Sequence, residues 1–185
     1  VANLLQYDGG MMDNHFFALF GLPVQFEIDK KILKDRLLEL QKQHHPDRQD
    51  DVSAHAQKQA ELINHAYDTL YQDDTRAAYL LELSGQALDL NQSISDWDFL
   101  DEMMELRISL DELQESSALN ALINDVQQRI DEQAKMFANH YAQQHWQATK
   151  DDAKKLQFLS KLQQDIHAKN SQSLASNDGD DDLYV

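Results

Sequence analysis

Residues 30–48 read KKILKDRLLELQKQHHPDR, from Lys30 to Arg48, and the fold turns on this stretch. Leu33, Leu37 and Leu40 recur at helical spacing, and at about 100° per residue they share one arc with His44. That arc is a core face, so the spacing predicts a helix from Lys30 to about His44, with Asp29 as its cap. Lys30, Lys31, Lys34, Gln41 and Lys42 lie on a second arc, and His45 projects in the same direction. Pro46 ends the helix, because the residue before a proline is biased out of the helical region. Six Lys/Arg stand here against Asp35, Glu39 and Asp47, inside a chain whose net charge is −17. Most charge runs on helices are solvated faces. This one leads straight into a proline-stiffened corner that offers the His45 imidazole and the Asp47 carboxylate.

The rest of the chain has the same character. Apolar residues recur every three or four positions, and five Gly and two Pro in 185 residues are too few for the many turns of an all-β protein. The expectation is an all-α chain. Upstream, a short helix is predicted over 13–20, stopped at Gly21-Leu22-Pro23. Residues 1–11 carry Gly9-Gly10 and no period, and are expected to form a flexible extension, with Met12 as an alternative start. Downstream, Ser53 is a plausible N-cap for a third helix whose stripe is Ile63, Ala66, Tyr67 and Leu70. A fourth starts at Asp73-Asp74 and stops near Ser84, with Gly85 beyond it. Residues 85–94 read as a linker. Ser95 with Asp98, and Thr149 with Asp152, resemble capping boxes and predict helix starts. The three helices expected there run over about 96–113, 117–144 and 150–169. The middle one aligns Leu119, Leu122, Val126, Ile130, Phe137 and Tyr141, and short connections make the three an antiparallel bundle. The tail 171–185, with Asp180, Asp181 and Asp182, is expected to be disordered.

Composition removes several functions. The chain has no cysteine, so disulfides, thiolate metal sites, Cys nucleophiles and a self-ligated iron–sulfur cluster are all excluded. Strong negative charge argues against nucleic acid, which needs a dense positive stripe. No run is long and apolar enough to cross a membrane, and no export signal is visible, so a soluble protein is expected. His45 and Asp47 resemble a base and its orienter, yet no nucleophile or oxyanion element accompanies them. His44 and His45 lack a partner at metal-ligand spacing, and HExxH is absent. A helical metal-dependent enzyme built on His44, His45 and Asp47 is the rival from another class. Catalytic residues, metal and cofactor are otherwise all expected to be none.

The segment 96–113 has two apolar faces. Phe99, Met103, Leu106, Leu110 and Leu113 form an ordinary core stripe. Trp97, Leu100, Met104 and Ile108 cluster opposite, rimmed by Asp101, Glu105 and Glu112. A helix needs one stripe to join a bundle. The second either packs against the N-terminal part of the chain or faces a partner, and Met104 suits a partner because its thioether adapts.

These residues resemble a known module. The basic helix, His45-Pro46-Asp47, the upstream Phe16-Phe17-Ala18-Leu19-Phe20-Gly21-Leu22-Pro23 and the downstream Ile63-Asn64-His65-Ala66-Tyr67-Asp68-Thr69-Leu70 resemble a J domain, which activates heat-shock-70 class ATPases. Thr75-Arg76-Ala77-Ala78-Tyr79-Leu80-Leu81, Phe99-Leu100 to Leu113 and Lys155-Leu156-Gln157-Phe158-Leu159 narrow the likeness to the HscB family, J-type co-chaperones of bacterial iron–sulfur cluster assembly. The resemblance covers roughly residues 13–168. It implies an L-shaped, all-α molecule with a J domain over 12–84 and a scaffold-binding three-helix bundle over 95–170.

Two partners are implied, the chaperone HscA and the scaffold protein IscU. The implied chaperone-binding residues are His45, Pro46, Asp47, Lys31, Lys34, Lys42 and Arg48. The implied scaffold-binding residues are Leu100, Met104, Glu105, Ile108, Glu112 and Phe158. Asp101 departs from the family, which often has an apolar residue there, and Ile108 stands where a carboxylate is common. The runner-up within the class is a J protein serving a different client.

Overall fold

The computed structural model describes residues 15–43, 54–89 and 93–178, and the chain divides into two compact units, Val1–Gly85 and Gln86–Val185. All regular structure among the described residues is helical, as the periodicity predicts.

In the first unit, α1 (Phe16–Leu19) is capped by His15, whose Nδ1 accepts the Ala18 N–H at 3.0 Å. Residues 13 and 14 of the predicted short helix lie outside the described residues. Gly21 follows at φ +60°, a left-handed conformation that glycine takes without a Cβ penalty. α2 (Lys30–Gln43) opens where expected: Asp29 Oδ1 accepts the N–H groups of Lys31 at 2.8 Å and Ile32 at 3.2 Å. α3 (Ala54–Tyr71) and α4 (Asp73–Leu83) complete the unit, and Gly85 turns the chain at φ +69°. Ser53, the expected cap of α3, lies outside the described residues. The core gathers Phe17, Phe20, Leu33, Ile63, Ala66, Leu70, Ala77, Leu80 and Leu81. Leu37, Leu40 and Tyr67 of the expected stripes are half-buried.

The second unit holds α5 (Trp97–Glu112), α6 (Ser116–Ala142) and α7 (Trp146–Asp178). α6 and α7 pack along most of their length, and α5 lies against α7. Leu119, Leu122, Val126, Ile130 and Phe137 meet Ala153, Leu156, Leu159, Leu162 and Ile166, all buried. Each large side chain hidden this way contributes about 1.5–3 kcal/mol.

Three expectations about helix ends are corrected. The cap of α5 is Asp96, not Ser95, because Asp96 reaches the Phe99 N–H at 3.1 Å and also takes the Lys155 ammonium of α7 at 2.5 Å. α7 starts at Trp146, a turn before Thr149. Gln144 at φ +57° makes the corner, Trp146 packs edge-on against Tyr141, and the Thr149 hydroxyl donates to the His145 carbonyl inside the helix. Residues 171–178, expected to be disordered, continue α7 as helix. Lys169 donates to the Leu110 carbonyl at 2.6 Å, Asn170 to the Asn120 side chain at 2.9 Å, and Ser173 to the Gln114 carbonyl at 3.0 Å, which carries the helix past its apolar stripe. Residues 1–11 and 179–185 lie outside the described residues.

Candidate docking surfaces

The base of the positive surface is built around Arg76. Its side chain is 3% exposed in the first unit; Nε donates to the Phe26 carbonyl at 2.7 Å and Nη1 to the Leu70 carbonyl at 2.6 Å. The guanidinium also lies over the Phe26 ring, 4.7 Å from its centroid, and pairs with Asp73 at 2.5 Å. Lys30 joins Asp73 from the other side at 3.0 Å and sits over the Tyr71 ring. Burial pushes the Asp73 carboxyl upward, but the charges and hydrogen bonds of Arg76 and Lys30 outweigh it and hold it below the usual carboxylate range. Burial also lowers Arg76, against the pull of Asp73, and the group stays charged at any ordinary pH.

This cluster fastens the start of α2 to the start of α4. By spacing Lys30 belongs to the positive arc, whereas the structure gives it to Asp73. In the sequence Arg76 stands out only within the Thr75–Leu81 stretch that carries the resemblance, and nothing there marks it as an anchor. Lys31, Lys34 and Lys42 remain exposed on α2 and enter no ion pair among the described residues. Gln41 crosses to Asn64 of α3 at 3.2 Å, fixing the far end of α2 on its neighbour. His44, His45, Pro46, Asp47 and Arg48 lie outside the described residues.

The second unit carries the other surface. The core stripe of α5 is buried at Phe99, Met103, Leu106 and Leu110, while Leu113, the fifth expected member, is half-buried at the C-cap. Its opposite face is open: Trp97 is 81% exposed, Met104 63% and Ile108 48%, with Leu100 half-buried. Phe158 of α7 is 46% exposed and meets the Phe99 ring edge-on at 6.4 Å. Leu100 and Phe158 both line a notch of about 420 Å³, together with Leu88, Asp89, Ser93, Ile94, Lys154 and Gln157. The segment read as a linker thus supplies a buried residue, Ile94, to the second unit.

On the other flank of α5, Asp98, Asp101, Glu105 and Glu112 are exposed, and none enters an ion pair among the described residues. Among the described residues no cluster of His, Asp or Glu is arranged to hold a metal ion, and no helix is long and apolar enough to cross a membrane.

Comparison with known proteins gives the class first. A family model described as the DnaJ domain matches residues 16–79, so the first unit is a J domain, and a model described as the HSCB C-terminal oligomerisation domain matches residues 95–167. A co-chaperone protein HscB homolog of Acinetobacter baumannii is 43% identical over 173 residues, spanning 92% of this chain and 99% of the relative. Chaperone HscB from Vibrio cholerae superposes with a TM-score of 0.70 at 35% identity, over 86% of this chain and 99% of that one. Human co-chaperone protein HscB gives 0.71 at 25% identity, over 88% and 85%. The chain belongs to the HscB family of J-domain co-chaperones.

Proposed function

We propose that this co-chaperone stimulates the ATPase of a heat-shock-70 class chaperone of the HscA type and delivers to it an iron–sulfur scaffold protein of the IscU type, in the bacterial cytoplasm. The observation that carries the reading is the lysine face of α2. Three ammonium groups with no ion pair among the described residues project from a helix anchored at its start and precede His45-Pro46-Asp47 in the sequence, in a chain otherwise strongly acidic. Such a face steers toward an acidic patch on the ATPase and sets the approach. Pro46 narrows the corner's freedom and so reduces the ordering entropy lost on docking. Asp47 accepts a charge-assisted bond from a partner arginine, and His45 adds a directional polar contact.

Docking favours the hydrolysing state of the ATPase, a coupling between binding and turnover in which this chain breaks no bond. The scaffold protein sits on Leu100, Met104, Glu105, Ile108, Glu112 and Phe158. Holding both partners on one chain raises the effective concentration of each for the other. The test is an ATPase assay with an HscA-type chaperone. His45→Gln and Asp47→Asn keep their circular dichroism and lose stimulation. Full stimulation by either variant would overturn the docking mechanism, and stimulation without scaffold binding would point to a different client.

A further inference from the structure

The open face of α5 continues beyond the residues assigned to the scaffold protein. Trp97 stands one turn before Leu100 and Asp101 and is the most exposed large apolar side chain among the described residues, at 81%. Leaving an indole in water forfeits the stabilisation that its burial gives, and nothing in the helix requires it there: Asp96 already caps α5 and Phe99 already anchors it. Trp97 and Asp101 are four apart, so their side chains lie side by side on the helix surface. Asp101 is exposed and unpaired among the described residues, although Arg129 and Lys155 line the same groove. Those cations are engaged elsewhere: Arg129 with Glu102 and Asp125, Lys155 with Asp96.

We infer that Trp97 and Asp101 form a receiving site for one lysine or arginine of the scaffold protein, the cation lying against the indole face and pairing with the carboxylate. The inference rests on the proposed scaffold-binding role of this face. Charge complementarity selects the occupant's chemistry. Asp98, Asp101, Glu105 and Glu112 form an acidic flank along one side of the Trp97–Met104–Ile108 ridge, and the Leu100/Phe158 notch lies on the other. A partner that seats an apolar side chain in the notch and a cation at Trp97 binds in one orientation only. An aromatic face adds a cation–π attraction, which strengthens as the pair is desolvated. An aspartate beside it therefore turns an apolar contact into a charge-selective one.

The experiment uses the full chain with its two tryptophans labelled as 5-fluorotryptophan and an unlabelled IscU-type scaffold protein. Trp146 is half-buried against Tyr141 and serves as the internal control. On adding the scaffold, the Trp97 fluorine resonance shifts and the Trp146 resonance stays. Trp97→Ala weakens scaffold binding about tenfold, the effect of truncating a single interface anchor, at unchanged melting temperature. Asp101→Asn weakens it less and flattens its salt dependence.

If Leu100→Ala/Met104→Ala/Phe158→Ala abolishes binding while Trp97→Ala leaves affinity unchanged and the Trp97 resonance still, the inference is overturned and the scaffold reading stands. If the unaltered chain fails to bind the scaffold, both fall. A Trp97 resonance that shifts with protein concentration alone would assign the site to a second copy and overturn the stated occupant. An unchanged salt dependence in Asp101→Asn would overturn the cation.

Discussion

At the scale of single residues, Arg76 ties the segment at Phe26 and the end of α3 to the start of α4. It holds the Phe26 carbonyl, the Leu70 carbonyl and the Asp73 carboxylate at once, so its removal orphans two carbonyl acceptors and leaves Asp73 with Lys30 alone. Breaking such a pair costs about 3–5 kcal/mol when both groups are dry; because Asp73 is partly solvated and keeps Lys30, Arg76→Met is expected to cost about 3 kcal/mol, read as a lower urea midpoint. Asp73 titrates below its ordinary value in the folded chain. Its carboxylate therefore contributes stability that is complete above about pH 4 and fades as pH falls through the lower folded value. Asp73→Asn is expected to be less stable at neutral pH and to lose less than the parent on acidification from about pH 5 to about pH 3, measured by denaturation at each pH. None of this was legible in the sequence, since carbonyl acceptors at Phe26 and Leu70 leave no trace in side-chain identity.

At the scale of elements, α2 joins a fixed start to an open charged face. Charge reversal at Lys31, Lys34 and Lys42 is expected to weaken the ATPase contact and to flatten its dependence on ionic strength, because the lost attraction is the part that salt screens. Equal binding by parent and variant at low salt would remove the steering role. Helix existence and facing were readable throughout: the stripe of α6 and the doubled apolar faces of α5 follow from spacing alone, and both are found. Helix ends were less readable, for physical reasons. Ser95 and Asp96 are equally good caps by type, and a lysine from another helix, Lys155, favours Asp96. The polar end of α7 lacks an apolar period, and its support comes from Asn170 and Ser173 bonding to residues 50 and 59 positions away. Of the positive surface, the exposed lysines were legible and the diversion of Lys30 was not.

At the scale of the whole molecule, the two surfaces belong to separate compact units, each with its own core. Their functions are expected to separate under mutation. Leu100→Ala/Met104→Ala/Phe158→Ala is expected to abolish scaffold binding and to spare basal ATPase stimulation, with only a modest fall in melting temperature because Met104 is mostly exposed and Leu100 and Phe158 are about half-buried. Joint loss of both activities with a lowered melting temperature would mean that these side chains support the fold.

The buried Asp152 has a consequence for the second surface. Gln133 donates to it at 2.7 Å and His140 meets it at 2.6 Å, both from α6. Sliding α7 by one turn, about 5.4 Å, would strand that carboxylate in an apolar seam, so the two helices are indexed like teeth on a rack. Phe158 lies further along the same rod, and its height beside α5 is set by that tooth. Slipping that register would carry Phe158 away from the Phe99 ring, so the wall beside α5 stands only while the tooth is seated.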